Sequence, residues 1–218
     1  MKLDLVFKYF CAKLRERTEF TSEDTIRYYW FMSMHAQDPE LRHYELESPY
    51  KTLANKELDL LYDNGFSESI ALEIKFHRNP SRTTFACPDA AGSMFNDILR
   101  LPHFLLSSKI QHRLFLYVTD SEMDEYLSQM SRGTAPYRPM LKGFYELTPM
   151  TSMSFPALST SAYGTKTFYE KAYDSLGALP TTFSCPNVQL IDRDDFPIHN
   201  SCFKDDKCHV RLYEVLTK

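Results

Sequence analysis

The sequence predicts an α/β protein in which a mixed central sheet is flanked by helices. Helical and strand patterns alternate along the first 130 residues in the order helix, helix, strand, strand, strand, helix, strand, helix. Two of the strand patterns, residues 70–76 and 113–119, are almost wholly apolar, which is typical of central strands covered on both faces. Residues 131–166 are instead rich in Pro, Ser, Thr, Met and Tyr, and they indicate an irregular C-terminal elaboration.

The composition fits one globular domain over residues 1–218, with a core at about 20–130 and an elaboration at 131–218. Of the 218 residues, 43% are hydrophobic and 25% are charged, as in ordinary globular proteins. The net charge of −4 excludes a generic basic coat for nucleic acid, although a local basic patch beside an acidic site is compatible with it. We see neither a leader nor a membrane-spanning segment, so we expect a cytoplasmic protein with no membrane partner and five free thiols.

Two helices are predicted first. Apolar residues at helical spacing predict a helix over residues 2–17. The run Thr21-Ser22-Glu23-Asp24 marks the start of a second helix, which continues to about residue 35, because a hydroxyl caps free N–H groups and acids suit the positive end of the helix dipole.

Three strands follow, at residues 43–50, 58–62 and 70–76. Pro49 limits the first strand, and Asp63-Asn64-Gly65 supplies the turn between the second and the third.

The rest of the core alternates. Residues 90–106 predict a helix that Pro102 kinks or splits. A buried strand at 113–119 and a helix at 121–130, with Ser121 as its cap, come next. Further on, the patterns predict a helix at 167–176 and strands at 188–191 and 209–216.

Three charged residues lie on the second and third strands, where burial makes charge costly. Glu73 and Lys75 are two apart and therefore share a face, opposite Leu72 and Ile74. Asp59 is expected to face away from both of its neighbours in the strand, and a hairpin can bring it close to Glu73. Two adjacent carboxylates need compensation, and a divalent cation such as Mg²⁺ provides it with the oxygen ligands that it prefers.

Asp59 followed by Glu73-Ile74-Lys75 resembles the D…(D/E)-x-K signature of the PD-(D/E)XK nucleases, the restriction-endonuclease-like superfamily. The core of that superfamily is helix, three strands, helix, strand, with the aspartate on the second strand and E-x-K on the third. Residues 22–119 give that order, and residues 95–101 resemble the helix that follows E-x-K in many relatives. Leu58 replaces the proline of the family name, and the resemblance covers a little over half of the chain.

The resemblance implies a metal-dependent endonuclease that hydrolyses phosphodiester bonds in DNA, in restriction, defence or repair, and that works as a homodimer. Asp59, Glu73 and the Ile74 carbonyl would hold Mg²⁺ or Mn²⁺, and Lys75 would position or deprotonate the attacking water. Either Glu23, on the helix before the first strand, or Glu47, on that strand, would be a further acid of the site.

Basic residues near the signature are candidates for contacts with the DNA backbone. They are His77, Arg78, Arg82 and Arg100.

Three other interpretations stay open. The first is a catalytically silent nuclease-like module that binds nucleic acid or a protein partner. The second is a hairpin whose charges only face water. A zinc site is the third, and the irregular spacing of its ligand candidates disfavours it. Those candidates are Cys185, His199, Cys202, Cys208 and His209.

Overall fold

A mixed sheet with helices on both faces forms the framework of the protein. The computed structural model describes residues 1–17, 21–78, 87–128, 137–154, 166–176, 186–198 and 207–217. The helices in these ranges are α1 (Leu3–Arg15), α2 (Glu23–His35), α3 (Cys87–Arg100), α4 (Ser121–Ser128), α5 (Tyr137–Glu146) and α6 (Lys166–Ala172). The strands are β1 (Tyr44–Pro49), β2 (Glu57–Asp63), β3 (Glu68–His77), β4 (Ile110–Asp120), β5 (Ser152–Ser154), β6 (Asn187–Pro197) and β7 (Lys207–Leu216).

Within these described ranges, the sheet has seven strands in the order β1-β2-β3-β4-β7-β6-β5. β3 and β4 run parallel, and every other neighbouring pair is antiparallel. The predicted mixed sheet and the predicted order of the first eight elements are therefore confirmed. The parallel step from β3 to β4 encloses α3, as a crossover connection requires.

The sheet separates two apolar cores. α1 and α2 cover one face, where Trp30 packs edge-on against Phe10 with ring centroids 5.4 Å apart. The helices α3 to α6 cover the other face. Along β3, Ile70, Leu72 and Ile74 enter the α1–α2 core, whereas Ala71 enters the α3–α6 core. By the same alternation, Glu73 and Lys75 lie on the α3 side of the sheet.

Of three local expectations, two are confirmed and one needs correction. Ser22 does cap α2, because its Oγ accepts the N–H of Thr25 at 3.2 Å. At α4, however, the capping oxygen is Asp120 Oδ1, which accepts the N–H of Met123 at 2.8 Å, so the prediction that Ser121 caps this helix is wrong. Pro102 does split its helix: α3 ends at Arg100 and a 3₁₀ turn follows at Leu101–His103.

The C-terminal part is more regular than its composition indicates. The helix α5 and the short strand β5 lie inside the stretch that was predicted to be irregular. β7 pairs with β4 in the centre of the sheet and β6 pairs with β7. These strands therefore extend the central sheet itself, and weak hydrophobic periodicity concealed part of that contribution.

None of the helices in the described ranges combines the length and the apolar character that crossing a bilayer requires. Cys11 and Cys208 are buried free thiols, as expected. The other three cysteines are Cys87, whose side chain is not described, and Cys185 and Cys202, which lie outside the described residues.

Close packing of α3 on α6 gives a direct test of the fold. A Cβ at Gly92 would lie 2.6 Å from Lys171 Cβ and 2.8 Å from the Phe168 carbonyl oxygen. Gly92→Ala should therefore push the helices apart and lower the free energy of unfolding by about 1–3 kcal/mol, measured by urea denaturation.

The matched control is Gly143→Ala, inside α5. Its new Cβ would meet only the end of the Met153 side chain, at 3.3 Å, and alanine favours the helix by up to about 1 kcal/mol. Equal stability losses in both variants would contradict the described α3–α6 contact.

Candidate functional site

The two strands that carry the signature separate at the level of Asp59. Their ladder runs from Asp63 opposite Ser69 to Leu60 opposite Leu72, so the next positions are Asp59 and Glu73. Beyond that point the Asp59 side chain replaces the main-chain partner of β3, because its Oδ2 accepts the Ile74 N–H at 2.7 Å. This register brings the predicted aspartate and glutamate together at a gap between β2 and β3.

The other edge of β2 is interrupted at the same level. β1 pairs with β2 through Leu46 and Leu60 and again through Ser48 and Leu58, but the pair between them, Glu47 and Asp59, is skipped. Glu47 has a φ of 55°, a left-handed conformation that is costly for a residue with a side chain.

Side-chain alternation on β2 also breaks at this level. Leu58 packs in the α3–α6 core and Leu60 in the α1–α2 core. The expectation that both face away from Asp59 together is therefore wrong.

Main-chain N–H groups of β3 beyond the ladder are satisfied by carboxylates. Glu23 Oε2, from α2, accepts the Phe76 N–H at 3.2 Å, as Asp59 does for Ile74. The N–H and C=O of one strand residue point to the same edge. The Ile74 carbonyl therefore faces the gap that Asp59 and Glu23 line.

Glu73 is the most deeply buried acid of the site, with 0% of its surface exposed. Its Oε1 accepts the Tyr50 hydroxyl at 2.5 Å and the Arg100 Nε–H at 2.7 Å, and its Oε2 accepts Arg100 Nη2–H at 2.5 Å. Burial raises the pKa of Glu73, and the Arg100 guanidinium acts in the opposite direction. Two parallel hydrogen bonds from one guanidinium cation are a strong, charge-assisted interaction that compensates the burial of the carboxylate.

Asp97, on α3, connects Arg100 to Lys75 on β3. Asp97 Oδ1 lies 3.2 Å from Arg100 Nη2, and Asp97 Oδ2 lies 2.8 Å from Lys75 Nζ. Burial tends to lower the pKa of Lys75, but Asp97 and Glu23 raise it by more, so the net shift is upward. Lys75 is therefore a cation at neutral pH.

Arg27, on α2, donates hydrogen bonds to two further acids, Asp59 and Glu47. Its Nη2 donates to Asp59 Oδ1 at 2.7 Å and its Nη1 to Glu47 Oε1 at 3.2 Å. Asp59 is 13% exposed and Glu47 is 63% exposed. Burial raises the pKa of Glu23, against the effect of Lys75.

The ionisation of Glu73 decides the charge balance around the gap. Among the described residues of this network there are four carboxyl groups and three cations, so the net charge is −1 when all are ionised and zero when burial keeps Glu73 protonated. The acids are Glu23, Asp59, Glu73 and Asp97, and the bases are Arg27, Lys75 and Arg100.

The donor chemistry of the gap fits a hard divalent cation, because carboxylates and a main-chain carbonyl are the ligands that Mg²⁺ prefers. In the arrangement described, arginines hold these carboxylates, and no group of three His, Cys, Asp or Glu side chains in the described ranges is arranged to bind a metal. A cation would therefore have to exchange with an arginine. Of the zinc candidates, Cys208 is buried, and His209 lies between Asp195 and Ser121.

The four residues that were predicted to contact DNA have different surroundings. His77 Nδ1 lies 3.1 Å from the Tyr117 hydroxyl, and burial lowers the pKa of His77 to about 3, so its ring is neutral. Arg100 is 15% exposed and faces Glu73 instead of the surface. Arg78 is partly buried at the end of a described range, and Arg82 lies outside the described residues.

The sequence analysis did not predict Arg27, Asp97 or Tyr50 as residues of the site. For the first two, helical spacing from a predicted site residue could have indicated them. Arg27 lies four residues after Glu23 and Asp97 three residues before Arg100, spacings that put each pair on one helix face. Tyr50, just after β1, had no such indication, because its hydroxyl reaches Glu73 only through the tertiary fold.

Comparisons of the chain with protein-family models, with curated proteins and with solved structures gave no match. The resemblance to PD-(D/E)XK nucleases therefore remains a hypothesis from the sequence signature, within which Asp59 contacts the Glu73-Ile74-Lys75 segment through the Ile74 N–H.

The low pKa of His77 predicts a loss of stability in acid. Between pH 6.5 and about 3 the unfolded chain binds a proton that folded His77 refuses, so the free energy of unfolding falls as the pH falls. His77→Gln should remove on the order of 1 kcal/mol of this loss by roughly pH 5, measured by urea denaturation across that range. His35→Gln, on α2, is the control, and an unchanged pH dependence in His77→Gln would refute the assignment.

Proposed function

We propose that the protein is a metal-dependent nuclease with a restriction-endonuclease-like fold that hydrolyses phosphodiester bonds in DNA, most simply as an endonuclease. One observation carries the proposal. The Asp59 carboxylate accepts the Ile74 N–H where the β2–β3 ladder ends, so it lies beside the Glu73-Ile74-Lys75 segment, which supports the arrangement that the D…E-x-K pattern implies.

Asp59, Glu73 and the Ile74 carbonyl would hold Mg²⁺ or Mn²⁺. When bound, such a cation supplies a polarised phosphate oxygen and a water of lowered pKa. Glu23 is the better candidate for the further acid, since it already reaches the main chain of β3 at Phe76. Glu47 is mostly exposed and bonds to Arg27.

Lys75 acts as a charge and not as a base. Its raised pKa keeps the ammonium protonated, so it orients the attacking water through its N–H groups and offsets negative charge that develops on the phosphate. Asp97 fixes the direction of the ammonium from α3.

The substrate and assembly follow from the same resemblance. Arg78 and Arg82 are the candidates for holding the DNA backbone as cations, whereas His77 would contribute only as a neutral hydrogen-bonding group. Cutting both strands of a duplex needs two sites, which favours a homodimer. Restriction, defence and repair are equally compatible with these residues, and a cytoplasmic location remains the expectation.

A second candidate function is a catalytically silent nuclease-like module that binds nucleic acid or a protein. The observation that favours it is the pairing of Glu73 with Arg100 and of Asp59 with Arg27. If these arginines replaced the metal permanently, the fold would be kept and the chemistry lost.

Cleavage of DNA tests the first function. Purified protein should cut plasmid and linear DNA with Mg²⁺, and Glu73→Ala or Lys75→Ala should lower the rate by about two orders of magnitude or more, since each removes a charge that acts on the reacting phosphate. Glu146→Ala and Lys142→Ala, an exposed ion pair on α5, are matched controls that should cut normally. Full cleavage by both site variants would exclude the assignment.

Metal binding separates the two functions. Titration calorimetry with Mn²⁺ or Mg²⁺ should detect a site in the wild-type protein that Asp59→Asn weakens, because Asp59 would be a ligand. Folded wild-type protein that binds neither ion would support the silent module instead.

A further inference from the structure

We propose that Arg100 is an internal counter-ion that neutralises Glu73 in the metal-free protein and releases this carboxylate when a divalent cation binds. Arg100 would thereby set the affinity of the site for metal. This inference rests on the proposed metal-dependent function and assigns to Arg100 a positioning role inside the site, in place of the expected contact with DNA.

The surroundings of Glu73 favour such an exchange. A carboxylate offers about four lone-pair positions, and three donors already use Glu73: Arg100 Nε, Arg100 Nη2 and the Tyr50 hydroxyl. A divalent ion bound to Glu73 would also lie next to the guanidinium, and the two like charges would repel each other strongly in an environment from which water is excluded.

Arg100 has an alternative partner within reach. Its Nη2 already lies 3.2 Å from Asp97 Oδ1, one turn earlier on α3, and its guanidinium carbon lies 5.8 Å from the centre of the Tyr50 ring. A side-chain rotation that breaks the bonds to Glu73 therefore leaves the guanidinium paired, which keeps the cost of the exchange low.

The exchange also reaches Lys75. Asp97 holds Arg100 with one oxygen and Lys75 with the other. When Arg100 moves fully onto Asp97, two cations compete for one carboxylate, and the hold on the Lys75 ammonium weakens. Metal entry at Glu73 would thus loosen the contact between Asp97 and Lys75 and leave the ammonium available to the phosphate in the proposed reaction.

The metal affinity and the thermal stability of Arg100→Met test this inference. The variant should melt at a lower temperature than wild type without metal, because buried Glu73 loses its counter-ion. It should bind Mg²⁺ about tenfold more tightly or better, the factor that one charge-assisted hydrogen bond is worth, and Mg²⁺ should raise its melting temperature more than that of wild type. Calorimetry and thermal unfolding give the two readouts.

Three further variants make the result specific. Arg113→Met removes a half-buried arginine of β4 that bonds to the neutral Phe104 carbonyl, and it should not change metal affinity. Arg100→Lys keeps the charge without the two-pronged geometry, so it should give an intermediate affinity, and it serves if Arg100→Met does not fold without metal. The double variant Glu73→Gln with Arg100→Met should lose the gain.

The outcomes distinguish the two proposals. Wild-type protein that cleaves DNA with Mg²⁺, together with Arg100 variants of unchanged metal affinity, would overturn the role of Arg100 and leave the nuclease in place. Folded wild-type protein and Arg100 variants that all bind no Mg²⁺ and leave DNA intact would refute the nuclease and, with it, the exchange.

Discussion

The burial of one carboxylate governs the layout of this protein. Glu73 lies in the middle of a central strand with 0% of its surface exposed, and an isolated charge there would cost several kcal/mol. Arg100 and Tyr50 compensate it.

Arg100 is itself largely buried and needs a second acid, which Asp97 supplies, and Asp97 in turn holds Lys75. Each charged group is tolerated because of the next, so the chain of charges ties β3 to α3 and removing one member affects all of them.

The gap between β2 and β3 is the second constraint, and it depends on Asp59. Both ladders of β2 are interrupted at this residue, on one side before Glu73 and on the other opposite Glu47. An unpaired main chain in a sheet is costly, and carboxylates from Asp59 and Glu23 satisfy the N–H groups of Ile74 and Phe76 instead. Acidic side chains therefore lie where the β2–β3 ladder ends and replace the missing strand partner of β3.

Local sequence patterns predicted much of the fold and part of the site. The apolar runs of β3 and β4 and the cap at Ser22 were sufficient to predict the order of the elements and the common face of Glu73 and Lys75. The break in alternation between Leu58 and Leu60 was not predictable, because it lies at the skipped Glu47–Asp59 pair, a feature of strand pairing that no local pattern indicates. The inward direction of Arg100 was also missed: a basic residue on a helix looks the same in sequence whether it faces a buried acid or water.

The charges at the gap imply an order of events for the proposed reaction. In the metal-free protein each described cation there already has an acid as its partner: Arg27 has Asp59, Lys75 has Asp97 and Arg100 has Glu73. A phosphodiester would therefore find these cations engaged, and the ionised acids beside them would repel it. A divalent cation bound to Glu73 would add positive charge, and the proposed movement of Arg100 onto Asp97 would loosen the hold of Asp97 on Lys75. On this argument the cation would bind before DNA.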